Sequence, residues 1–417
     1  MRKTIFIISI VCGLYSVSFS QEGWFELSNP TIQPYFGVYF LDANTGFVCG
    51  AEGTILRTTN GGASWDVSIP EPNTLFYKIR FKDSNTGFAI GSFGVIYKTE
   101  NKGLSWEEVL PPNGLLQLFD IYFLDNNYGV IVGRRGVTLD SALIMRTTNG
   151  GETWPIMGTT FTDQLNAVHF FNYFDGFAVG TNNLKVKTIN SGQTWTSLPA
   201  STPAILHDVF ATSSTNVFAV SPGGIYLSTN AGESWNLNYP GGYLQTILFL
   251  NSSTGFAAGR DGNIWKTTNS GNGWFLQHDD PAEELMDIYF VDSDTGFAVG
   301  NKNNQGIIYK TTTGGNGTSD IHPISIEVPD KFSLNQNFPN PFNPSTKISW
   351  QSPIGSWQTL KIYDVLGNEV ATLVDEYLPA GSYEAEFSAR GGCASGVYFY
   401  MLQAGSFIET KKMLVIR

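Results

Sequence analysis

Between residues 24 and 318, apolar and polar residues alternate in short runs, and each run stops at a cluster of Asn, Asp, Ser, Thr or Gly. Around RFKDSNTGFAIGSFGVIYKTENKGLSW (80–106) the pattern predicts strands at 77–81, 87–90, 95–99 and 106–109. The first two are joined by Asp83-Ser84-Asn85-Thr86-Gly87, a hairpin turn of residues that tolerate positive φ. The unit begins at 39–65 and recurs, with Trp65, Trp106, Trp154, Trp195, Trp235 and Trp274 closing successive copies at spacings of 41, 48, 41, 40 and 39 residues. A seventh copy starts at Tyr289 and has Thr318 where the tryptophan is due. Four short strands in a period of about 40 residues make the blade of a propeller. Counting 41 residues back from Trp65 reaches Trp24, so 24–27 is expected to supply the missing fourth strand of the seventh blade. Such closure removes the sheet edges that would otherwise recruit other chains.

The end of each unit reads Thr/Ser-x-Asn-x-Gly-x-x-Trp, with Asn60 before Trp65, Asn101 before Trp106 and Asn149 before Trp154. It recurs with Asn190 before Trp195, Asn230 before Trp235 and Asn269 before Trp274. The short polar side chain can bond the turn's own backbone, and the tryptophan is expected to pin the outer strand between blades. This pattern closely resembles the Asp-box of bacterial neuraminidase-type (BNR) repeats, with Asn in place of Asp, and the resemblance implies a fold element. With the recurrent Thr295–Gly300 stretch (TGFAVG) and the Lys-Thr-Thr-Asn-x-Gly turn at 266–271, residues 24–318 are similar to the photosystem II assembly and stability factor family of propellers. That resemblance implies a binding platform without chemistry.

Beyond 318 the repeats stop. Residues 319–331 read as a linker. Strands are expected at 347–351, 359–364, 382–388, 396–402 and 409–416, the pattern of an immunoglobulin-like sandwich. The opening Asn-Pro-Phe-Asn-Pro-Ser-Thr (340–346), Tyr-Asp-Val-Leu-Gly (363–367), Gly-Val-Tyr-Phe-Tyr (396–400) and the closing Lys-Lys-Met-Leu-Val-Ile (411–416) closely resemble the type A C-terminal sorting domain of the type IX secretion system. The resemblance implies that 332–417 engages that machinery and is removed afterwards. The expected fold is therefore all-β: a signal peptide (1–20), a seven-bladed β-propeller (21–318), the linker (319–331) and the sandwich (332–417).

Composition sharpens this picture. Arg2 and Lys3, the apolar run 5–14 and Ser18-Phe19-Ser20 read as a secretory leader cut near Gln21. The apolar run is too short to span a bilayer. The net charge of −12 argues against nucleic acid as a partner, because phosphate binding needs clustered Lys and Arg. Cys49 and Cys393 fall in different domains, so no disulfide is expected, and the fold depends on core burial.

Little in the chain points to chemistry. A sialidase-like glycosidase, the alternative reading, needs clustered arginines, a Tyr/Glu nucleophile pair or two spaced carboxylates. The loop candidates are Glu71, Asp140, Asp163, Asp208, Asp261, Asp279, Asp280, Glu283 and Glu284. Arg57 and Arg146 repeat a position held elsewhere by Lys98, Lys187 and Lys266, so they read as scaffold. His169, His207, His278 and His322 are scattered, and neither metal nor cofactor is expected. The reading is an exported, monomeric propeller at the cell surface or in the medium that binds a protein or glycan. Its binding rim is expected to be the one formed by second-to-third-strand turns and blade connections. Arg134 and Arg135 in a long loop of the third blade (133–141), with Arg260 three blades on, are the candidate binding residues.

Overall fold

The computed structural model describes residues 23–109, 115–136, 141–158, 160–199, 205–315, 322–325, 329–378, 380–389 and 393–416. The leader, Asp140, Thr318 and two parts of the linker, 319–321 and 326–328, lie outside the described residues.

Seven antiparallel sheets follow one another along 23–315, each with its first strand innermost. Blade 1 comprises Tyr35–Phe40, Gly46–Gly50, Ile55–Thr58 and Asp66–Ser68. The innermost strands pack in order: Tyr35–Phe40, Phe76–Phe81, Leu116–Phe123, Leu165–Phe170, Asp208–Ala211, Leu244–Phe249 and Glu283–Phe290. The last packs back against the first, so the ring is a closed seven-bladed propeller. Blade 7 is completed from the N-terminus: Phe25 pairs with Lys310, Glu26 with Tyr309, and the Leu27 N–H donates to the Ile308 carbonyl at 2.7 Å.

Trp24 explains why this strand takes that place. It is 2% exposed and meets Phe290 edge-on at 5.6 Å. Trp106 meets Phe81 at 6.3 Å, Trp154 meets Phe123 at 5.9 Å, and Trp274 meets Phe249 at 5.9 Å in the same way. The phenylalanine that receives each indole ends its blade's first strand and lies over the glycine across the hairpin. At Gly87 and Gly296 a Cβ would stand 2.6 and 2.5 Å from the rings of Phe81 and Phe290. Blade 5 changes both partners together: Val217 replaces the glycine and pairs with Ala211 where the phenylalanine is due. Volume across the hairpin is thereby kept, as close packing requires.

The Asn-containing turns are self-contained. Thr58 Oγ1 donates to Asn60 Oδ1 (2.9 Å) and accepts the Gly62 N–H (3.0 Å), while Asn60 Oδ1 accepts the Ser64 N–H (2.9 Å). Asn60 Nδ2 donates to Ser64 Oγ at 2.8 Å, a bond that an ionised Asp has no hydrogen to make. The Thr/Ser–Asn–Gly core of this arrangement recurs at Asn101, Asn149, Asn190, Asn230 and Asn269. A second repeated tie crosses between blades. Arg57 Nε donates to the Lys102 carbonyl, Arg146 Nε to Ser191, Lys266 Nζ to Gly314, and Lys310 Nζ to Gly61, which links blade 7 to blade 1. These third-strand cations are structural.

In the propeller and the linker three elements depart from the expected pattern. Blade 3 has three regular strands, because Pro155 follows Trp154 directly and has no N–H for the ladder; pairing survives as a bridge between Met145 and Ile156. Its supposed long loop is instead a lengthened hairpin, with Arg134 and Arg135 inside the strand Gly129–Arg135, opposite Ala142 and Ser141. The supposed linker contributes a strand, His322–Ser325, that pairs with Gly381–Ser388.

The C-terminal domain is a sandwich of two four-stranded sheets. One holds His322–Ser325, Gly381–Ser388, Ser345–Ser352 and Ser333–Leu334, and the other Glu369–Leu378, Ser356–Tyr363, Gly396–Ala404 and Phe407–Val415. Alternate residues of both sheets meet in one core around Phe342, Trp350 and Tyr400. The proline-rich opening is tied down by Asn337, 2% exposed, whose Nδ2 donates to Thr346 Oγ1 (2.9 Å) and the Pro339 carbonyl (3.1 Å).

Candidate functional site: the channel mouth

The first strands line the axis of the ring, so one column of the repeat faces an enclosed space. Aligned on their last residue, these strands place Gly37, Lys78, Asp120, Ala167, Asp208, Thr246 and Asp287 at one level. One residue nearer the rim of blade connections stand Phe36, Tyr77 and Phe119 from blades 1 to 3 and Asn166, His207, Gln245 and Met286 from blades 4 to 7. All seven line a mouth cavity of about 390 Å³. One half is an aromatic wall, with Phe36 and Tyr77 at 5.9 Å and Tyr77 and Phe119 at 5.5 Å. The other half is largely amide and imidazole. At the far end a second cavity of about 270 Å³ shares Lys78, Asp120 and Asp208 with the first.

The acidic residues of this level lie on alternate blades and staple neighbours together. Asp287 Oδ2 accepts the Val38 N–H at 3.0 Å, Asp120 Oδ2 the Val168 N–H at 2.9 Å, and Asp208 Oδ2 the Ile247 N–H at 2.9 Å. Asp287 also accepts from Lys78 Nζ at 3.0 Å and has Arg80 at 3.7 Å. Burial works against the Lys78 charge, but Asp287 holds its ammonium above the usual range. Burial raises Asp120 and carries Asp208 up to about 6, with Lys78 pulling it down and Asp120 pushing it up. Since Asp208 sits higher in the fold than in the unfolded chain (3.8), its contribution to stability is full below about pH 4 and lost as pH rises through about 6. Burial depresses His169 to about 3, so it is neutral at neutral pH.

Arg134 is half-buried opposite Gln117, a residue that Tyr77 Oη reaches at 3.4 Å. Burial raises the Tyr77 hydroxyl, and the Arg134 charge pulls it partway back. Arg135 is exposed one residue further out. Arg260 lies on the same rim across the mouth, stacked 4.0 Å from the Tyr243 ring with Nε donating to Glu284 at 2.8 Å. The rim therefore carries all three arginines, with Arg260 already engaged by Glu284.

Among the described loop carboxylates, Glu71, Asp163, Asp280 and Glu283 are each held by scaffold side chains. Glu283, 3% exposed, accepts from Tyr309 Oη (2.7 Å) and Lys302 (3.1 Å) and lies 3.1 Å from His278 Nε2. A Tyr–Glu pair suggests a glycosidase nucleophile, but Tyr97 Oη donates to Glu71 at 2.9 Å from the equivalent strand position of blade 2. A contact repeated in two blades, between a third strand and the entry to the same blade's first strand, is a clamp on the scaffold. Asp280 accepts from Lys302 at 2.6 Å, and Asp163 from Asn182 at 2.5 Å. Among the described residues no cluster of His, Cys, Asp and Glu has the arrangement of a metal site.

The sequence reading named Asp208 as a loop carboxylate, whereas it opens the first strand Asp208–Ala211 and faces the channel; Lys78, Asp120 and Asp287 were not singled out. A signal existed: this column reads Gly, Lys, Asp, Ala, Asp, Thr, Asp directly before one that stays apolar in every blade, Val38, Ile79, Ile121, Val168, Val209, Ile247 and Ile288.

Comparison with known proteins agrees with this architecture. Solved structures sharing the fold include YCF48 bound to D1 peptide, at 21% identity and TM-score 0.58 over 70% of this chain and 97% of that one. They also include YCF48 from Cyanidioschyzon merolae, at 20% and 0.57 over 69% and 98%, and the WD40 propeller of Doa1, at 10% and 0.53 over 69% and 96%. No curated protein matches the chain. Residues 336–417 match the secretion system C-terminal sorting domain, which marks the propeller as a secreted one. Residues 17–115 and 110–242, more than half of the sequence, match the profile of the photosynthesis system II assembly factor YCF48, and the chain belongs to that family.

Proposed function

We propose that this protein is an exported, non-catalytic propeller that binds a segment of a protein partner across the channel mouth, at the cell surface or in the medium. The observation that carries this reading is the mouth cavity itself, walled by aromatic rings on one side and by amide and imidazole groups on the other, on a rigid ring. Concave sites with an apolar wall and a few placed polar groups are where proteins hold ligands. A relative of the same fold is solved with a peptide bound, which supports a peptide rather than a glycan as the ligand. Arg134, opposite Gln117, and the exposed Arg135 beyond it favour an acidic group flanking the bound segment, and Arg260 serves through its stacked, Glu284-held guanidinium.

Screening the secreted protein on surface-protein and glycan arrays identifies the partner. Changing Arg134, Arg135 and Arg260 together to Ala is then expected to weaken it by well over threefold, a loss above roughly 0.7 kcal/mol. Unchanged affinity in a variant with the parent melting temperature removes these arginines from the site. A glycan in place of a protein on the arrays overturns the peptide reading.

A further inference from the structure

We infer that the channel is built to receive a basic side chain, the lysine or arginine of the bound segment, seated between Asp120 and Asp208 with its stem along Phe36, Tyr77 and Phe119. The inference rests on the proposed binding role and names the chemistry of its ligand.

The charges of the channel do not balance. Three carboxylates, Asp120, Asp208 and Asp287, stand against two cations, Lys78 and Arg80. Both cations belong to Asp287, Lys78 at 3.0 Å and Arg80 at 3.7 Å, and Arg80 also donates to the Val38 and Ile79 carbonyls. Among the described residues Asp120 and Asp208 accept hydrogen bonds from neutral donors: the N–H groups of Ile121 and Val168 for the first, and those of Val209 and Ile247 with the Thr246 hydroxyl for the second. Burying charge without a counter-charge is costly, and a partner cation removes that cost. Burial raises both carboxyls, against the pull of Lys78 on each and of Arg80 on Asp120.

The shape selects the kind of cation. The two carboxylates lie where the two cavities meet, Asp120 one residue below Phe119 of the aromatic wall and Asp208 one residue below His207 on the facing side. Among the described residues no group of carboxylates and imidazoles is arranged to enclose a metal ion. A long side chain fits instead: its methylenes lie against the rings while its charged head reaches the carboxylates, the division long basic side chains adopt at apolar surfaces. A neutral side chain would leave the two anions unpaired, and an acidic one would be repelled.

The test uses the mature chain with Nα-acetyl-lysine methylamide as probe and Nα-acetyl-norleucine methylamide as its uncharged match. The lysine probe is expected to bind at least about tenfold more tightly. Asp208→Asn keeps an acceptor for the Ile247 N–H and should shrink that preference to below about threefold. Lys78→Met makes the channel more negative and should increase it. Equal binding of the two probes, absence of binding by either, or a preference unchanged in Asp208→Asn overturns the inference. If the arginine variant still loses its partner while the probes show no preference, the inference fails and the binding role stands. If the lysine probe behaves as stated but no partner engages the rim, the proposed role fails instead.

Discussion

Trp24→Ala is expected to destabilise the propeller by about 3–5 kcal/mol, the range for truncating a buried tryptophan, and removal of residues 23–28 by more. The indole is 2% exposed, between Phe290 and a core that includes Phe256, Leu285 and Tyr309. Deleting the whole strand also leaves the outer edge of Gln305–Thr311 unpaired, where the Leu27 N–H now meets the Ile308 carbonyl. An open edge on a ring invites pairing with other chains, so loss of stability should come with aggregation. The Lys310 tie from blade 7 to the Gly61 turn would remain, so the ring is weakened at one sheet and not cut through. Thermal melts of the wild type, Trp24→Ala and the deletion read this out. A deletion variant melting at the parent temperature as a monomer would show that the ring closes without the N-terminal strand.

The second large effect concerns export. Truncation after residue 318 is expected to leave the propeller in the periplasm, because the sorting domain that matches over 336–417 is gone. The structure refines where such a cut belongs. His322–Ser325 pairs along Gly381–Ser388 and forms the edge of one sheet of the sandwich. A passenger fused to 319–417 should therefore be exported more fully than one fused to 332–417, whose sheet lacks that edge. Fractionation with an antibody to the propeller separates the compartments. Surface display at the parent level after truncation would refute the assignment.

The blades were legible because each repeats the same volumes at the same spacing. The tryptophan, the phenylalanine it meets and the glycine beneath that ring constrain one another, and Trp24 could be placed by register alone. The structural asparagines were legible for a similar reason: their bonds stay within a single turn. What escaped the sequence depends on contacts made at long range. Glu369–Leu378 was not expected as a strand, because register shifts against Ser356–Tyr363 break its alternation. His322–Ser325 contains a proline and is short, and only its partner reveals it as a strand. The channel column was hidden because its members lie far apart in the chain; Lys78 and Asp287 meet at 3.0 Å only once the ring has closed. Of the channel mouth, the sequence singled out Asp208, though on a loop, but not the aromatic wall, Lys78, Asp120 or Asp287.

Photocrosslinking in secreting cells tests the binding face most directly. A benzoylphenylalanine at Phe36 reports the channel mouth, and one at Leu104, 71% exposed in an Asn-containing turn, reports the opposite rim. A partner adduct is expected from Phe36 that disappears when Arg134, Arg135 and Arg260 are changed to Ala, with none from Leu104. An adduct from Leu104 alone, or one from Phe36 that survives the arginine changes undiminished, would contradict this expectation.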